Sequence, residues 1–140
     1  MSLSKPIVSL VAERMLDIWE SAERWTTGTT AREEDGDSVE VTSSFAVRWC
    51  AVGCLERALY DLSLVSLYDE FEGFLNLYTQ RTTDQRYNRV IEYNDSSRTS
   101  FEDMRLFVKG LLDVDPDEII DDAPEEDNEP CEYDDGPGPF

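Results

Sequence analysis

The chain has 140 residues, a formal net charge of −20 and no histidine. One domain of ordinary size accounts for this length. The negative charge disfavours direct binding to nucleic acid or to an anionic membrane surface, because both surfaces attract basic residues. Without histidine, the chain cannot form a Ser-His-Asp or Cys-His nucleophile system, an HExxH zinc motif or any His-ligated metal site.

Hydrophobic residues make up 40% of the chain, which is enough for a folded core. The N-terminal residues lack a signal-peptide pattern, and no apolar run reaches the roughly 20 residues that span a bilayer. We therefore expect a cytoplasmic protein, or one of the host cytoplasm if a phage encodes it. Cys50, Cys54 and Cys131 are too few for the usual four-ligand zinc site, and we predict no metal, cofactor or catalytic residue. Cys50 and Cys54 are interpreted as small buried side chains.

The first predicted helix runs from a Ser4 cap to about Ala22, because apolar residues recur there at spacings of three and four. A polar stretch follows over residues 29–44. It contains the tight-turn signal Asp35-Gly36 and a short alternation of valines with polar residues. This pattern predicts an irregular segment with a short hairpin or a single strand.

The second predicted helix begins at Phe45, after a Ser43 or Ser44 cap, and ends near Tyr60. Its apolar residues lie almost all round the helix, which is typical of a central, buried helix. Gly53 lies in the middle, where glycine is about 1 kcal/mol less favourable than alanine. We therefore expect another helix to approach closely over Gly53.

Three further helices are predicted. The third runs from Leu64 to about Gln80, and we assign its aromatic residues to the core. A short fourth helix follows a Thr82 or Thr83 cap. The fifth begins at Thr99 or Ser100, each of which stands three residues before an acid in capping-box spacing. The aromatic residues assigned to the core of the third helix are Tyr68, Phe71, Phe74 and Tyr78.

These elements predict a mainly α fold, a compact bundle of four to five helices over residues 1–112. Residues 113–140 hold 13 acids and no lysine or arginine, which predicts an acidic tail that is disordered or loosely docked. Ile119 and Ile120 are the tail's only strong apolar pair and could pin one turn onto the body. The acidic residues that mark the tail are Asp113, Asp115, Asp117, Glu118, Asp121, Asp122, Glu125, Glu126, Asp127 and Glu129.

A polar pair, Asn94-Asp95, separates two predicted helices and is followed by Arg98. Asparagine and aspartate at such positions usually cap helices or form turns. A polar pair that faces a ligand is the alternative. Together with Trp25, which is either a core residue or an exposed anchor, these residues form the candidate interaction site.

Several short motifs give the chain a resemblance to a known family. They are Trp25 to Gly28, Asp35-Gly36, Trp49-Cys50 with Gly53-Cys54-Leu55, Asn94-Asp95 and Thr99. Over roughly residues 10–112 the chain resembles a domain-of-unknown-function family of small helical proteins from bacteria and phages. Cys54 stands where alanine is commoner in that family. The resemblance implies no reaction, cofactor or catalytic residue.

Three functions remain open. The first is a non-enzymatic accessory module, bacterial or phage, that binds another protein. The second is a nucleic-acid mimic that inhibits a host nuclease or an RNA-guided defence effector of the kind targeted by anti-CRISPR or anti-restriction proteins, so that its partner is a basic nucleic-acid-binding protein. The third is an unfamiliar carboxylate-dependent enzyme. Residues 1–112 hold 19 acids and 12 bases, a net charge of −7 with scattered bases, which weighs against a uniformly acidic mimic.

Overall fold

The structure is a computed structural model that describes residues 3–122, except for the side chains of residues 120–122. Helix α1, Lys5–Ile18, follows the predicted cap, Ser4. The Ile7 backbone N–H donates to Ser4 Oγ over 3.4 Å. The helix ends four residues before the predicted end at Ala22. Trp19 turns into the core there, and its Nε1 donates to the Trp49 carbonyl over 2.9 Å.

The second helix is shorter than predicted. Helix α2 covers Ala51–Asp61, and its cap is Cys50, whose Sγ accepts from the Gly53 N–H over 3.4 Å. The expected first turn is instead strand β2, Arg48–Trp49, which pairs antiparallel with strand β1, Ala31–Arg32. The prediction of a helix from Phe45 with a serine cap is therefore wrong. Backbone donors of this segment are taken by carbonyls of the 30–32 segment, a distant partner that periodicity cannot reveal.

The close approach expected at Gly53 is present, but the approaching element is not a helix. A Cβ on Gly53 would overlap the backbone carbonyl of Thr30, in the connection that leads into β1. The connecting segment therefore lies directly on α2, and only glycine leaves room for it.

Helix α2 ends in a Schellman motif with Ser63 in the left-handed region at φ 61°. The Ser63 N–H donates to the Tyr60 carbonyl over 3.1 Å, and the Leu64 N–H donates to the Leu59 carbonyl over 2.8 Å. A 3₁₀ turn, Val65–Leu67, then leads into helix α3, Tyr68–Thr82. The third helix is therefore separated from α2 by a full break and starts four residues after Leu64.

Helix α4, Val90–Asp95, is shorter than predicted and is not capped by Thr82 or Thr83, because α3 continues through Thr82. Thr83 Oγ1 instead donates back to the Thr79 carbonyl over 2.7 Å. Helix α5, Phe101–Gly110, confirms the predicted capping box: the Asp103 N–H donates to Ser100 Oγ, and the Ser100 N–H donates to Asp103 Oδ2.

The helical body extends beyond the predicted boundary at residue 112. After a 3₁₀ turn, Leu111–Asp113, helix α6 covers Pro116–Asp122 and packs on α3. The Asp117 N–H donates to Asp115 Oδ1 over 3.0 Å, so an acidic residue of the expected tail caps this helix, and Ile119 is only 7% exposed. The remaining tail residues, 123–140, which include Glu125, Glu126, Asp127 and Glu129, lie outside the described residues.

The core lies where α1 packs on α2 and α5, and where α3 packs on α2 and α4. The described residues thus form a mainly α fold with six α-helices and one two-stranded sheet. The mainly α class is as predicted, and the helix beyond the expected four to five is α6, which lies in the predicted tail. In this part of the chain, no helix has both the length and the apolar character required to cross a bilayer.

Candidate functional site

The predicted polar pair lies at a junction that we name the asparagine hub: buried Asn94 and Ala51 with half-buried Trp25 and Thr26 and exposed Asp95. Asn94 is 0% exposed. Its Oδ1 accepts from Trp25 Nε1 over 2.7 Å and from the Ala51 N–H over 3.0 Å. Its Nδ2 donates to the Thr26 carbonyl over 3.2 Å and to Asp95 Oδ1 over 2.9 Å. The side-chain amide therefore uses both donor hydrogens and both acceptor positions within the protein.

The hub closes the N-terminal end of helix α2. Ala51 is the first residue of that helix, and its N–H has no partner within the helix. Asn94, near the end of α4, supplies the missing acceptor from a distant part of the chain. Asp95 Oδ1 also accepts from the Gly28 N–H over 3.2 Å, which ties the connection between α1 and β1 to α4. The geometry is that of a helix cap supplied by another helix.

The structure brings together three of the four residues predicted as an interaction site. Trp25 is half-buried and packs against Phe101 with ring centroids 6.3 Å apart, so its indole is part of the hub rather than a free anchor. Arg98 lies outside the hub, exposed, with its backbone N–H donating to Ser96 Oγ. The buried polar groups of the hub already contact one another, and Asn94 offers no remaining hydrogen-bonding atom to a ligand.

A second feature lies toward the other end of α2, which we name the tyrosine groove. It encloses about 250 Å³ between the loop after β1, the second half of α2 and the segment that begins α3. Its lining is mostly apolar or aromatic. The lining residues are Val41, Thr42, Glu56, Leu59, Tyr60, Val65 and Tyr68.

Both walls of the groove are held by hydrogen bonds. On one side the Val41 carbonyl accepts from Trp49 Nε1 over 3.1 Å and from Arg57 Nη1 over 3.2 Å. Arg57 also donates through Nε to Asp61 Oδ1 over 3.1 Å. On the other side, the Schellman motif at Ser63 sets the direction in which the chain leaves α2. The groove is therefore preformed rather than dependent on a mobile loop.

The carboxylates around the groove lack a counter-charge. Burial raises the pKa of Glu56, and the negative charges of Glu72 and Glu40 raise it further. Burial, followed by Glu72 and Glu56, raises the pKa of Tyr68 to about 12. Within the described part of the chain, the structure shows no ion pair for Glu40, Glu56 or Glu72. Their repulsion indicates a negative potential in and around the groove.

The two arginines in residues 33–72 do not neutralise the negative potential around the groove. Residues 33–72 contain ten acids and only two arginines. Arg57 pairs with Asp61 at 3.1 Å, and Arg48 Nη1 donates to the Glu33 carbonyl over 3.1 Å. Asp61 is also paired with Arg14 at 2.7 Å, so the carboxylates left without an ion pair at the groove are those of Glu40, Glu56 and Glu72.

Sequence reasoning missed this groove. It assigned Tyr68 to the core with Phe71, Phe74 and Tyr78, and the last three are buried as predicted. Tyr68 instead lines the groove and is only partly buried. Helical spacing marks an apolar face, but it does not show whether another element covers the end of that face. No local signal in the sequence points to the groove.

The buried thiols show no sign of reactivity. Cys50 and Cys54 are both buried, as predicted, and burial raises the pKa of each thiol. Reactive cysteines instead have a lowered pKa and an accessible sulfur. Among the described residues, no three His, Cys, Asp or Glu side chains are arranged to hold a metal ion.

No protein-family model, curated protein or solved structure matches the chain. The family resemblance suggested by the short motifs therefore stays a prediction. What the geometry offers is a closed polar hub at one end of α2 and an open, apolar and negatively charged groove toward the other end.

Proposed function

We propose that the protein is a non-enzymatic accessory module of the cytoplasm that binds another protein through the tyrosine groove. The observation that carries this proposal is the exposure of two large side chains beside a preformed groove: Tyr60 is 53% exposed and Val65 is 57% exposed. Adjacent apolar groups left in water at a concave surface are typical of protein interaction sites. A partner that covers them gains the free energy of removing apolar surface from water.

The charge around the groove selects the kind of partner. The carboxylates of Glu40, Glu56 and Glu72 favour a basic segment, because complementary potentials raise the association rate and disfavour partners of like charge. For the same reason a second copy of this chain is a poor occupant, since it would set acidic residues against acidic residues. The proposed partner therefore presents apolar and basic residues together.

Matched serine substitutions test the proposal by affinity capture from a lysate of the organism that encodes the chain. We expect Val65→Ser and Tyr60→Ser to lose the captured protein, since both remove apolar contact area from the groove. Leu106→Ser is the control, because Leu106 is 54% exposed on α5 and does not line the groove. Retention of the partner by both groove variants, or its equal loss with Leu106→Ser, would contradict the proposal.

Nucleic-acid mimicry is the second candidate, and the ten acids against two arginines in residues 33–72 favour it. A mimic occupies a basic groove of its target mainly through charge, so its binding falls steeply with salt and competes with nucleic acid. Binding through the tyrosine groove persists at 0.5 M salt in part, because apolar contacts are not screened. Competition by duplex DNA or RNA, together with indifference to Val65→Ser, would favour the mimic.

A further inference from the structure

We infer that the tyrosine groove seats a single lysine or arginine side chain of its partner. This inference rests on the proposed function and names the group that the groove recognises. The observation behind it is that one carboxylate, Glu56, lies together with two tyrosines and three aliphatic residues in one small concavity.

The size of the groove favours one side chain. Its volume is about 250 Å³. Sites for drug-sized ligands and cofactors enclose roughly 300–1,000 Å³ and bury most of the ligand. The tyrosine groove is smaller and open, so it accommodates one long side chain with its backbone outside rather than a nucleotide or a comparable cofactor.

The lining matches the two parts of a long cationic side chain. Val41, Leu59 and Val65 provide an apolar surface for a methylene stem. Glu56 is the only charged residue among the described residues that line the groove, and it can pair with an ammonium or guanidinium group. Tyr60 and Tyr68 add aromatic rings, whose faces attract cations.

A neutral side chain fits this lining less well. It would bury the Glu56 carboxylate further without giving it a partner, and burial of an unpaired carboxylate is unfavourable. Glu40 and Glu72 already disfavour the negative charge on Glu56 in the free protein. A cation relieves this repulsion when it binds, whereas an apolar group does not.

Three capped amino acids test the inference on the full chain: the acetylated amides of lysine, arginine and norleucine. Norleucine has a similar unbranched stem and no charge. Methyl NMR signals of Val41, Leu59 and Val65 report binding directly. We expect the lysine and arginine amides to shift these signals with millimolar dissociation constants, and the norleucine amide to bind at least about fivefold more weakly, as expected for a charge-assisted contact of roughly 1 kcal/mol.

Two variants test which residues make the groove prefer a cationic side chain over a neutral one. Glu56→Gln is expected to weaken the lysine amide about fivefold and not to weaken the norleucine amide, because the carboxylate that norleucine would bury without a partner is gone. Glu13→Gln on α1 is the control of equal charge change. Tyr60→Leu keeps an exposed apolar group but removes a ring, and is expected to weaken only the cationic probes.

Equal binding of norleucine and lysine, or unchanged lysine binding in Glu56→Gln, would overturn the inference. Absence of a methyl shift with all three probes at 50 mM would overturn it as well. These results leave the docking proposal standing, because that proposal fails only when Val65→Ser and Tyr60→Ser retain the partner protein or when Leu106→Ser loses it equally. The two tests can therefore fail separately.

Discussion

The two ends of helix α2 meet distant parts of the chain in opposite ways. At the N-terminal end, Asn94 fills the place of a cap, and each polar atom of its amide contacts the protein itself. Toward the C-terminal end, Glu56 and Tyr60 face a groove that no other described element covers. One end is therefore closed and satisfied, and the other is open to a partner.

The contrast shows that a polar residue that caps a helix is tested by measuring stability, whereas a polar residue at a binding surface is tested by measuring binding. The sequence left Asn94 open between a helix cap and a residue that faces a ligand, and its buried hydrogen bond to the Ala51 N–H is that of a cap. Glu56 looks like an ordinary helical acid, but its pKa is raised by burial and by like charges beside an apolar surface. Removal of hub groups should reduce stability, whereas removal of groove groups should reduce binding and leave stability nearly unchanged.

The largest expected effect is at the hub. Asn94→Ala leaves the Ala51 N–H, the Trp25 indole N–H and the Thr26 carbonyl without their partner. We expect a loss of roughly 3–4 kcal/mol in the free energy of unfolding. The buried Ala51 N–H left without a partner costs about 1–3 kcal/mol, and the lost hydrogen bonds of the partly buried Trp25 and Thr26 groups cost about 1 kcal/mol each. Urea unfolding followed by circular dichroism measures it. Asn88→Ala, at an exposed position, should change stability by less than about 0.5 kcal/mol, and equal losses would remove the distinction between hub and surface.

A matched pair of glycines tests the close approach at α2. Gly53→Ala should lose about 2–3 kcal/mol, because the added methyl group overlaps the Thr30 carbonyl and the backbone must move. Gly73→Ala on α3 should instead gain up to about 1 kcal/mol, because it meets nothing within 4 Å and alanine favours a helix. The unfolding midpoints of the two variants should therefore move in opposite directions. A stabilised Gly53→Ala would show that the connection does not lie on the helix.

The turn that forms one wall of the groove allows a stabilising change. Ser63 has φ 61°, where glycine is favoured over residues with a side chain. Ser63→Gly should gain about 0.5–1 kcal/mol, measured by urea unfolding. Ser66→Gly, in the following 3₁₀ turn, is the control and should lose stability, because glycine adds freedom to the unfolded chain without relieving a strained φ. A loss at Ser63 as large as at Ser66 would count against the Schellman geometry.

The smallest effect is a pH dependence at the groove. The pKa of Glu56 is raised in the folded protein, so ionisation of Glu56 opposes folding. Protonated Glu56 therefore contributes favourably to stability below its unfolded pKa of about 4.3, and this contribution is lost as the pH rises through its folded pKa. Glu56→Gln should therefore be slightly more stable than the wild type at pH 7, by an amount that solvent screening of this partly exposed carboxylate keeps small, and should lose this advantage near pH 3.5. A difference between Glu56→Gln and the wild type that is the same at all pH values in this urea series would contradict the assignment.

Local signals in the sequence account for most of the helices. The Ser4 cap and the Ser100–Asp103 capping box are where the sequence places them, because a cap depends on residues three positions apart. The start of α2 is different, since its cap is a cysteine and the preceding residues pair with the 30–32 segment. Local periodicity does not indicate an uncommon cap residue or a strand partner far away in the sequence, so it could not predict where α2 begins.

The candidate site divides in the same way. The sequence identified Trp25, Asn94 and Asp95 as a group worth attention, and the structure brings those three together. It could not show that the group is closed, because the partners come from elements about 70 residues apart in the chain. The tyrosine groove was missed entirely, since it arises where three elements meet and leave part of an apolar face uncovered.

The sequence by itself determined the helical class, the apolar faces, the acidic excess and the absence of histidine chemistry, because each follows from composition or from spacing within one turn. The tertiary structure decided which polar residues are buried and satisfied and which apolar residues stay exposed. It also decided that Asp115 caps a docked helix rather than beginning a loose tail. The physical reason is that burial and hydrogen-bond partnership depend on groups far apart in sequence, which only the packed chain brings together.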